Sequence, residues 1–313
     1  MALTPAPFYA DVAGGPVGMA YWCRTSDGVR IRLGVWQGPA DGTGRGTVLL
    51  FPGRCEYVEK YGGLAGQLAG LGYATITVDW RGQGLADRLL ADPNIGHVHR
   101  FADYQKDVAA MLAAAAALEL PRPYVLLSHS MGGIIGLRAL LDGLPVTAAA
   151  FSAPMWGISI KPAMRPVAWA VTTAARALGL AGRYAPGTGP VTYMATAAFE
   201  NNVLTSDPGM FADMKDQITA HPDLCLGGPS MLWLNEALRE MRRLRAAALP
   251  VLPVLIGLGS NERVVDPEDV RAVAARWPSA RLELFDGAEH EIIMETDAIR
   301  ARFLASAAAT FAA

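Results

Sequence analysis

Tyr124-Val125-Leu126-Leu127-Ser128-His129-Ser130-Met131-Gly132-Gly133 decides the fold, because it reads as a buried strand that halts at a serine. Val125 to Leu127 form the short apolar run that a parallel strand covered on both faces requires. Met131 to Leu141 then has helix-forming composition and no proline. A serine between strand and helix occupies a sharp turn that only small neighbours tolerate. Gly132 is one such neighbour, and Ser128 stands where the nucleophile-elbow pattern G-x-S-x-G has its first glycine. A turn of this kind pushes the Ser130 hydroxyl out of the sheet and aims the Met131 amide at whatever that hydroxyl attacks. A strand followed by a helix that Ser130 merely caps fits these ten residues equally well. The rest of the chain has to choose between them.

At 313 residues the chain has room for one large α/β domain, or for a domain with an insertion. A hydrophobic content of 52% against 18% charged residues indicates a globular protein with a sizeable core. The net charge of -2 provides no basic footprint, so nucleic acid is not an expected partner. Cys23, Cys55 and Cys225 are scattered and odd in number, which argues against a disulfide framework and fits a reducing compartment. Met1 to Pro16 has neither a basic n-region nor an apolar h-region and does not read as a signal peptide. No segment reaches the roughly 20 uninterrupted apolar residues that span a bilayer. The nearest, Pro166 to Gly182, is broken by Arg176. The expectation is a soluble, cytoplasmic protein.

Met19 to Arg24 and Val29 to Trp36 alternate, are rich in β-formers and are joined through Ser26-Asp27-Gly28, the pattern of an antiparallel hairpin. The glycine-rich piece Gly38 to Gly46 matches neither a P-loop nor a dinucleotide fingerprint and reads as a surface loop. Thr47 to Phe51 is the next strand, followed by a helix through Leu68 and a strand from Tyr73 to Val78. A helix around Phe101 to Leu118 precedes the central stretch, and a strand from Thr147 to Ser152 follows it. This alternation predicts a parallel sheet covered on both faces. It stops from Pro154 to Ala247, where tryptophans, methionines, prolines and helical patterns replace strands. That region starts just after a strand end, where α/β sheets carry their binding crevice. It reads as a helical cap, with residues 1–153 and 248–313 forming the core. The alternation resumes with a strand from Val251 to Leu258, a helix near Pro267 to Trp277, the strand Arg281 to Phe285 and a C-terminal helix after Ile293.

A serine hydroxyl is a poor nucleophile until a base takes its proton, and the base must be oriented by a third group. Five histidines make the search short. His129 lies inside the elbow, pointed away from Ser130 and suited to local packing. His97 and His99 form a His-x-His pair that would face one side of a strand, but no further metal ligands accompany it. His221, before Pro222-Asp223, reads as a loop residue. His290, in Phe285-Asp286-Gly287-Ala288-Glu289-His290-Glu291 after the last strand, comes last in the order Ser, acid, His and is the candidate base.

The acid is expected in the loop after the preceding strand, Gly259-Ser260-Asn261-Glu262-Arg263-Val264-Val265-Asp266. Glu262 comes soonest after that strand and is the first choice. Asp266, just before Pro267, looks better placed as a helix cap, and Glu291 is a third option. A second oxyanion donor, beside the Met131 amide, is expected from the loop after Thr47 to Phe51. There Gly53 permits close approach and Arg54 supplies an N–H. The Arg54 side chain would bind an anionic headgroup or pair with Glu56. Asp79 and Arg81, in Asp79-Trp80-Arg81-Gly82-Gln83-Gly84, read as residues that tie down the neighbouring loop.

Taken together, Phe51-Pro-Gly-Arg, Asp79-Trp-Arg-Gly-Gln-Gly, Ser128-His-Ser-Met-Gly-Gly, Gly259-Ser-Asn-Glu-Arg-Val-Val-Asp and Gly287-Ala-Glu-His-Glu resemble the α/β-hydrolase superfamily. Within it, the closest resemblance is to the lysophospholipase and monoacylglycerol lipase group. The five stretches run in the family's order across nearly all of the chain outside the insertion. The resemblance implies Ser130 as nucleophile, Glu262 as acid, His290 as base, oxyanion amides at Arg54 and Met131, and a lid from Pro154 to about Ala247. It departs from the pattern at Ser128, where glycine is commonest, and at Glu262, where aspartate is usual. Pro-Gly-Arg in place of His-Gly in the oxyanion loop points to the bacterial lysophospholipase-like branch.

The expected activity is hydrolysis of a carboxylic ester through an acyl-enzyme, with no metal or organic cofactor. The cap's Trp, Met and Leu content suits an acyl chain, with Trp156 and Trp233 as candidate substrate contacts and the cap surface as a place for transient membrane contact. An acyltransferase or peptidase would use the same triad, and a non-catalytic lipid-binding homologue would keep the pocket without turnover. Serine at the elbow disfavours the aspartate-nucleophile dehalogenases and epoxide hydrolases.

Overall fold

The computed structural model describes residues 3–39 and 44–313. Residues 40–43 of the expected glycine-rich loop, and Met1 and Ala2 of the N-terminal stretch, lie outside the described residues. Among the described residues, nine strands form one sheet: β1 (Thr4–Pro5), β2 (Met19–Arg24), β3 (Arg30–Trp36), β4 (Gly46–Phe51), β5 (Tyr73–Asp79), β6 (Tyr124–His129), β7 (Ala149–Ser152), β8 (Val254–Gly259) and β9 (Ala280–Phe285). Their spatial order is β1-β2-β3-β5-β4-β6-β7-β8-β9. The β2–β3 hairpin is antiparallel, with Met19 opposite Val35 and Arg24 opposite Arg30. From β5 to β9 every pairing is parallel.

Alternation along the strands explains why both faces are covered. Leu49 and Phe51 of β4, Leu126 of β6 and Ile256 of β8 point into one apolar cluster with the helices α2 (Tyr104–Ala117), α3 (Met131–Leu141) and α8 (Pro267–Ala275). Val48 and Leu50, Val125 and Leu127, and Leu255 point the other way, against α1 (Gly62–Gly70) and α9 (Asp297–Phe311). A strand buried on both sides has no polar face to show, which is why these segments read as continuous apolar runs. The strand and helix limits expected from the sequence hold to within about three residues, the usual uncertainty at element ends.

Between β7 and β8, which pair side by side, the chain leaves the sheet for α4 (Arg165–Ala177), α5 (Tyr193–Thr196), α6 (Pro208–Ala220) and α7 (Met231–Arg245), with no strand longer than an isolated bridge among the described residues. Asp207 and Ser230 cap α6 and α7 by accepting backbone N–H groups. The Asn235 amide of α7 donates to Thr172 of α4 at 3.0 Å. Helix α7 also reaches the core through the Arg138–Glu240 ion pair and the Trp233–Tyr104 hydrogen bond. The loops after β4, β6, β8 and β9 all leave the carboxyl ends of parallel strands, so they converge on one edge of the sheet beneath these helices.

Candidate active site

Ser130 sits between β6 and α3 with φ 50° and ψ -118°, a backbone conformation that a side-chain-bearing residue adopts only under strain. The turn is held by the Ser130 N–H on the Ser152 carbonyl (3.1 Å) and by the Gly133 and Met155 N–H groups on the Ser130 carbonyl (2.8 and 2.9 Å). Gly132 is the small neighbour that the turn demands: a Cβ there would overlap the Phe51 carbonyl at the end of β4. The same closeness brings the first turn of α3 against the loop that carries Arg54. Ser128 is not among the residues with positive φ, so its side chain is accommodated and the strain falls on Ser130.

His290 lies in the loop after β9, with Nε2 2.9 Å from the Ser130 hydroxyl and Nδ1 2.8 Å from Glu262. The other Glu262 oxygen accepts the Val264 and Val265 amides at 2.6 and 3.0 Å, which fixes the carboxylate. Burial pushes the Glu262 carboxyl up, but the His290 ring and the two amides outweigh it and hold it below its ordinary value. Burial likewise pushes His290 down. The attraction and hydrogen bond of Glu262, with Glu291 and Glu56 beyond, outweigh this and raise it. Of the alternatives for the acid, Asp266 caps α8 through the Glu268 and Asp269 amides and pairs with Arg165. Glu291 turns away to pair with Lys60 at 2.6 Å.

The Arg54 and Met131 amides have no hydrogen-bond partner among the described residues, as groups reserved for a developing oxyanion would be. Of the two roles expected for the Arg54 side chain, pairing with Glu56 is not met. The side chain donates to the Gly227 carbonyl and lies over the Trp233 ring, 5.4 Å from its centroid. Glu56 is taken by Lys60, four residues on, at 2.7 Å and by the Tyr61 hydroxyl.

A cavity of about 650 Å³ opens above Ser130 and His290, walled by Ile158, Val167, Val171, Met194, Leu204 and Trp233 among others. Trp233 thus lies where a substrate contact was expected. Trp156 does not: it is buried with Phe151 and Trp277 and donates its indole N–H to Gly133. His97 and His99 lie outside the strands; the His97 ring bonds Ser230, the cap of α7, at 2.8 Å. His221 stacks on Tyr9 and pairs with Asp11 of the N-terminal segment. Asp79 and Arg81 tie loops down, Asp79 accepting the Val58 and Leu85 amides and Arg81 pairing with Asp107 and Asp27.

Sequence reasoning missed one buried group behind the site. Glu56, Lys60, His129 and Glu291 all lie at the cavity floor, and all are buried. The Glu56–Lys60 spacing of four was visible, but the pairing of Lys60 with Glu291 spans 231 positions and no local pattern announces it.

A doubly covered parallel sheet, a strained serine after its central strand, and a histidine and carboxylate from the following strand ends define a serine hydrolase of the α/β-hydrolase class. The comparisons with known proteins narrow this. A family described as serine aminopeptidase, S33, matches residues 42–297, and the chain belongs to that family. Lysophospholipase L2 of Escherichia coli (strain K12) is 34% identical over 262 residues, covering 81% of this chain and 76% of that protein. Monoacylglycerol lipase of Mycolicibacterium smegmatis is 27% identical, covering 86% and 89%. Among solved structures, a soluble variant of monoglyceride lipase from Saccharomyces cerevisiae with a substrate analogue shares the fold, with a TM-score of 0.73 at 20% identity over 98% of this chain and 99% of that one. The chain is accordingly a serine ester hydrolase by family. No helix among the described residues is long and apolar enough to cross a membrane.

Proposed function

We propose that the protein hydrolyses a single-chain lipid ester, of the lysophospholipid or monoacylglycerol type, with Ser130, His290 and Glu262 as its catalytic triad. The observation that carries this is the hydrogen-bonded run Ser130–His290–Glu262 at the floor of a largely apolar cavity of about 650 Å³. His290 Nε2 takes the Ser130 proton as Oγ attacks the ester carbonyl, and Glu262 holds the ring and stabilises the imidazolium. The Arg54 and Met131 amides receive the oxyanion, each worth about 3 kcal/mol if the usual cost of losing such a donor applies. His290 then protonates the leaving alcohol. Water, activated by the same histidine, releases the fatty acid from the acyl-enzyme.

Residues 154–247 act as the cap in this reading, and their apolar walls take the acyl chain at about 0.8 kcal/mol per buried methylene. One chain is favoured because a single cavity of this size fits one acyl tail with its glycerol end. The largely apolar cavity wall suits an acyl chain better than a peptide with a charged amino terminus. The relatives named as lysophospholipase and monoacylglycerol lipase support the ester reading.

The test is hydrolysis of p-nitrophenyl esters from acetate to long acyl chains, followed by lysophosphatidylcholine and monoacylglycerol, with Ser130→Ala beside the wild type. Turnover that rises with chain length and vanishes in Ser130→Ala is expected. Turnover that persists in the variant, or none on any of these esters, would sink the assignment.

A further inference from the structure

The buried group behind the triad joins the loop after β4, the end of β6 before Ser130 and the loop that carries His290. Glu56, in the loop after β4, accepts the Gly53 amide, the peptide next to the proposed oxyanion donor Arg54. Its other oxygen takes the Lys60 ammonium at 2.7 Å. The same ammonium reaches Glu291 at 2.6 Å, and Glu291 is the residue after His290. His129, the residue before Ser130, lies across the gap with its ring 4.8 Å from that of His290. Its Nδ1 lies 3.1 Å from the Ser152 carbonyl and 3.2 Å from the Ser152 hydroxyl, its Nε2 lies 3.5 Å from Glu291 Oε2, and neither of those last two atoms has a hydrogen-bond partner among the described residues. Burial keeps the His129 ring neutral.

We infer that Lys60 is a positioning residue that sets the oxyanion loop and the catalytic histidine at once, and that Glu291 presents an uncompensated negative charge to His290. This rests on the triad assignment above. Two carboxylates against one ammonium leave one negative charge among buried side chains, where an unbalanced charge acts more strongly on its neighbours than it would in water. Oriented groups that need no rearrangement during reaction are how such sites lower barriers. An ammonium that could be placed only between Glu56 and Glu291 fixes the distance between the two loops. The groups that face His290 are Glu262 from the β8 loop, Ser130 and His129 from the elbow, Glu56 and Lys60 from the segment after β4, and its own neighbour Glu291. Removing the Glu291 charge therefore makes the imidazolium less favourable without touching the Glu262 hydrogen bond.

The experiment uses the whole chain and a p-nitrophenyl ester that the wild type turns over, with melting curves for each variant. Lys60→Met is expected to lower kcat by about 100-fold, the scale of one lost oxyanion donor, with KM within about threefold of wild type. Lys60 borders a second cavity, beside Met294, as well as the main one, so a guanidinium has room. Lys60→Arg should recover most of the rate. Glu291→Gln keeps an acceptor for Lys60 while removing the charge; it should lower kcat and move the acid limb of kcat/KM to lower pH. If Lys60→Met does not fold, the Glu291→Gln limb decides. A limb that stays in place, a wild-type kcat in Lys60→Met, or a folded Lys60→Arg no faster than Lys60→Met would overturn the inference. A wild type that Ser130→Ala does not silence would instead overturn the triad assignment beneath it.

Discussion

Strain at Ser130 and ease at Ser128 separate two roles that the sequence ran together. A serine in place of the first elbow glycine suggested a crowded turn, yet the positive φ belongs to Ser130 alone of the two. The Ser128 hydroxyl is buried with no hydrogen-bond partner among the described residues, which costs on the order of 1 kcal/mol or more. Ser128→Ala should therefore raise the melting temperature while leaving ester turnover intact, and a lower melting point would show that an interaction had been removed. Glu262 carries the opposite expectation. Glu262→Gln keeps the shape of the side chain but removes the charge that raises His290, and should lower kcat by about a thousandfold or more. In the wild type His290 is raised above 6.5 and must be neutral to act as base, so the acid limb of kcat/KM should lie above pH 6.5. In Glu262→Gln that limb should move down, and a limb unmoved by the substitution would mean that His290 is not the group being titrated. The hydrogen-bonded run Ser130–His290–Glu262, the proposed triad, was legible because each member follows a strand in a fixed order. Lys60 was not, because its meaning lies in a partner 231 residues away.

At the scale of elements, the parallel strands were legible for the reason that makes them stable: buried on both faces, each is an apolar run with no polar alternation to confuse the reading. The helical stretch between β7 and β8, the proposed cap, was legible only as a loss of pattern. Its helices divide their apolar residues between the core, the cavity and solvent, and a periodic stripe does not say which. Helix α4 illustrates this. Val167 and Val171 wall the cavity yet stay exposed, as does Met164 just before the helix, while only Thr172 and Ala175 within it are buried. Lys161 and Arg165 flank that apolar edge. Such a face at a cavity mouth suits contact with a lipid surface from which a chain is drawn. The double variant Val167→Ser/Val171→Ser should slow hydrolysis of monoacylglycerol held in anionic vesicles by about tenfold, since it takes two exposed apolar side chains from that edge. Hydrolysis of a short soluble ester should change far less. Equal losses on both substrates would place the two valines in the cavity's work alone.

At the scale of the whole molecule, the cap is tied to the core by polar contacts that the sequence presented as unrelated residues. Tyr9 and Asp11 hold His221 at one end, and His97 holds Ser230, the cap of α7, at the other. His97 makes this second tie sensitive to acid. Burial, helped by His99, lowers its pKa from 6.5 to about 4. Between those values the unfolded chain binds a proton that the folded chain refuses, so stability falls as pH drops from about 6.5 towards 4. Buried His129 acts in the same direction, whereas His290, raised by Glu262, acts in the opposite one. The carboxylates follow in a separate window: Glu56, lowered to about 2, stabilises the fold above its ordinary 4.5 and loses that contribution as pH falls towards 2. The difference between two proteins isolates His97 from these neighbours. His97→Gln keeps a hydrogen-bonding side chain beside Ser230 but cannot titrate. Its melting temperature should fall by several degrees less than that of the wild type between pH 6.5 and 4. Parallel melting curves across that window would mean that His97 takes its proton as readily in the fold as out of it, and that the cap's tie to the core does not loosen with acid.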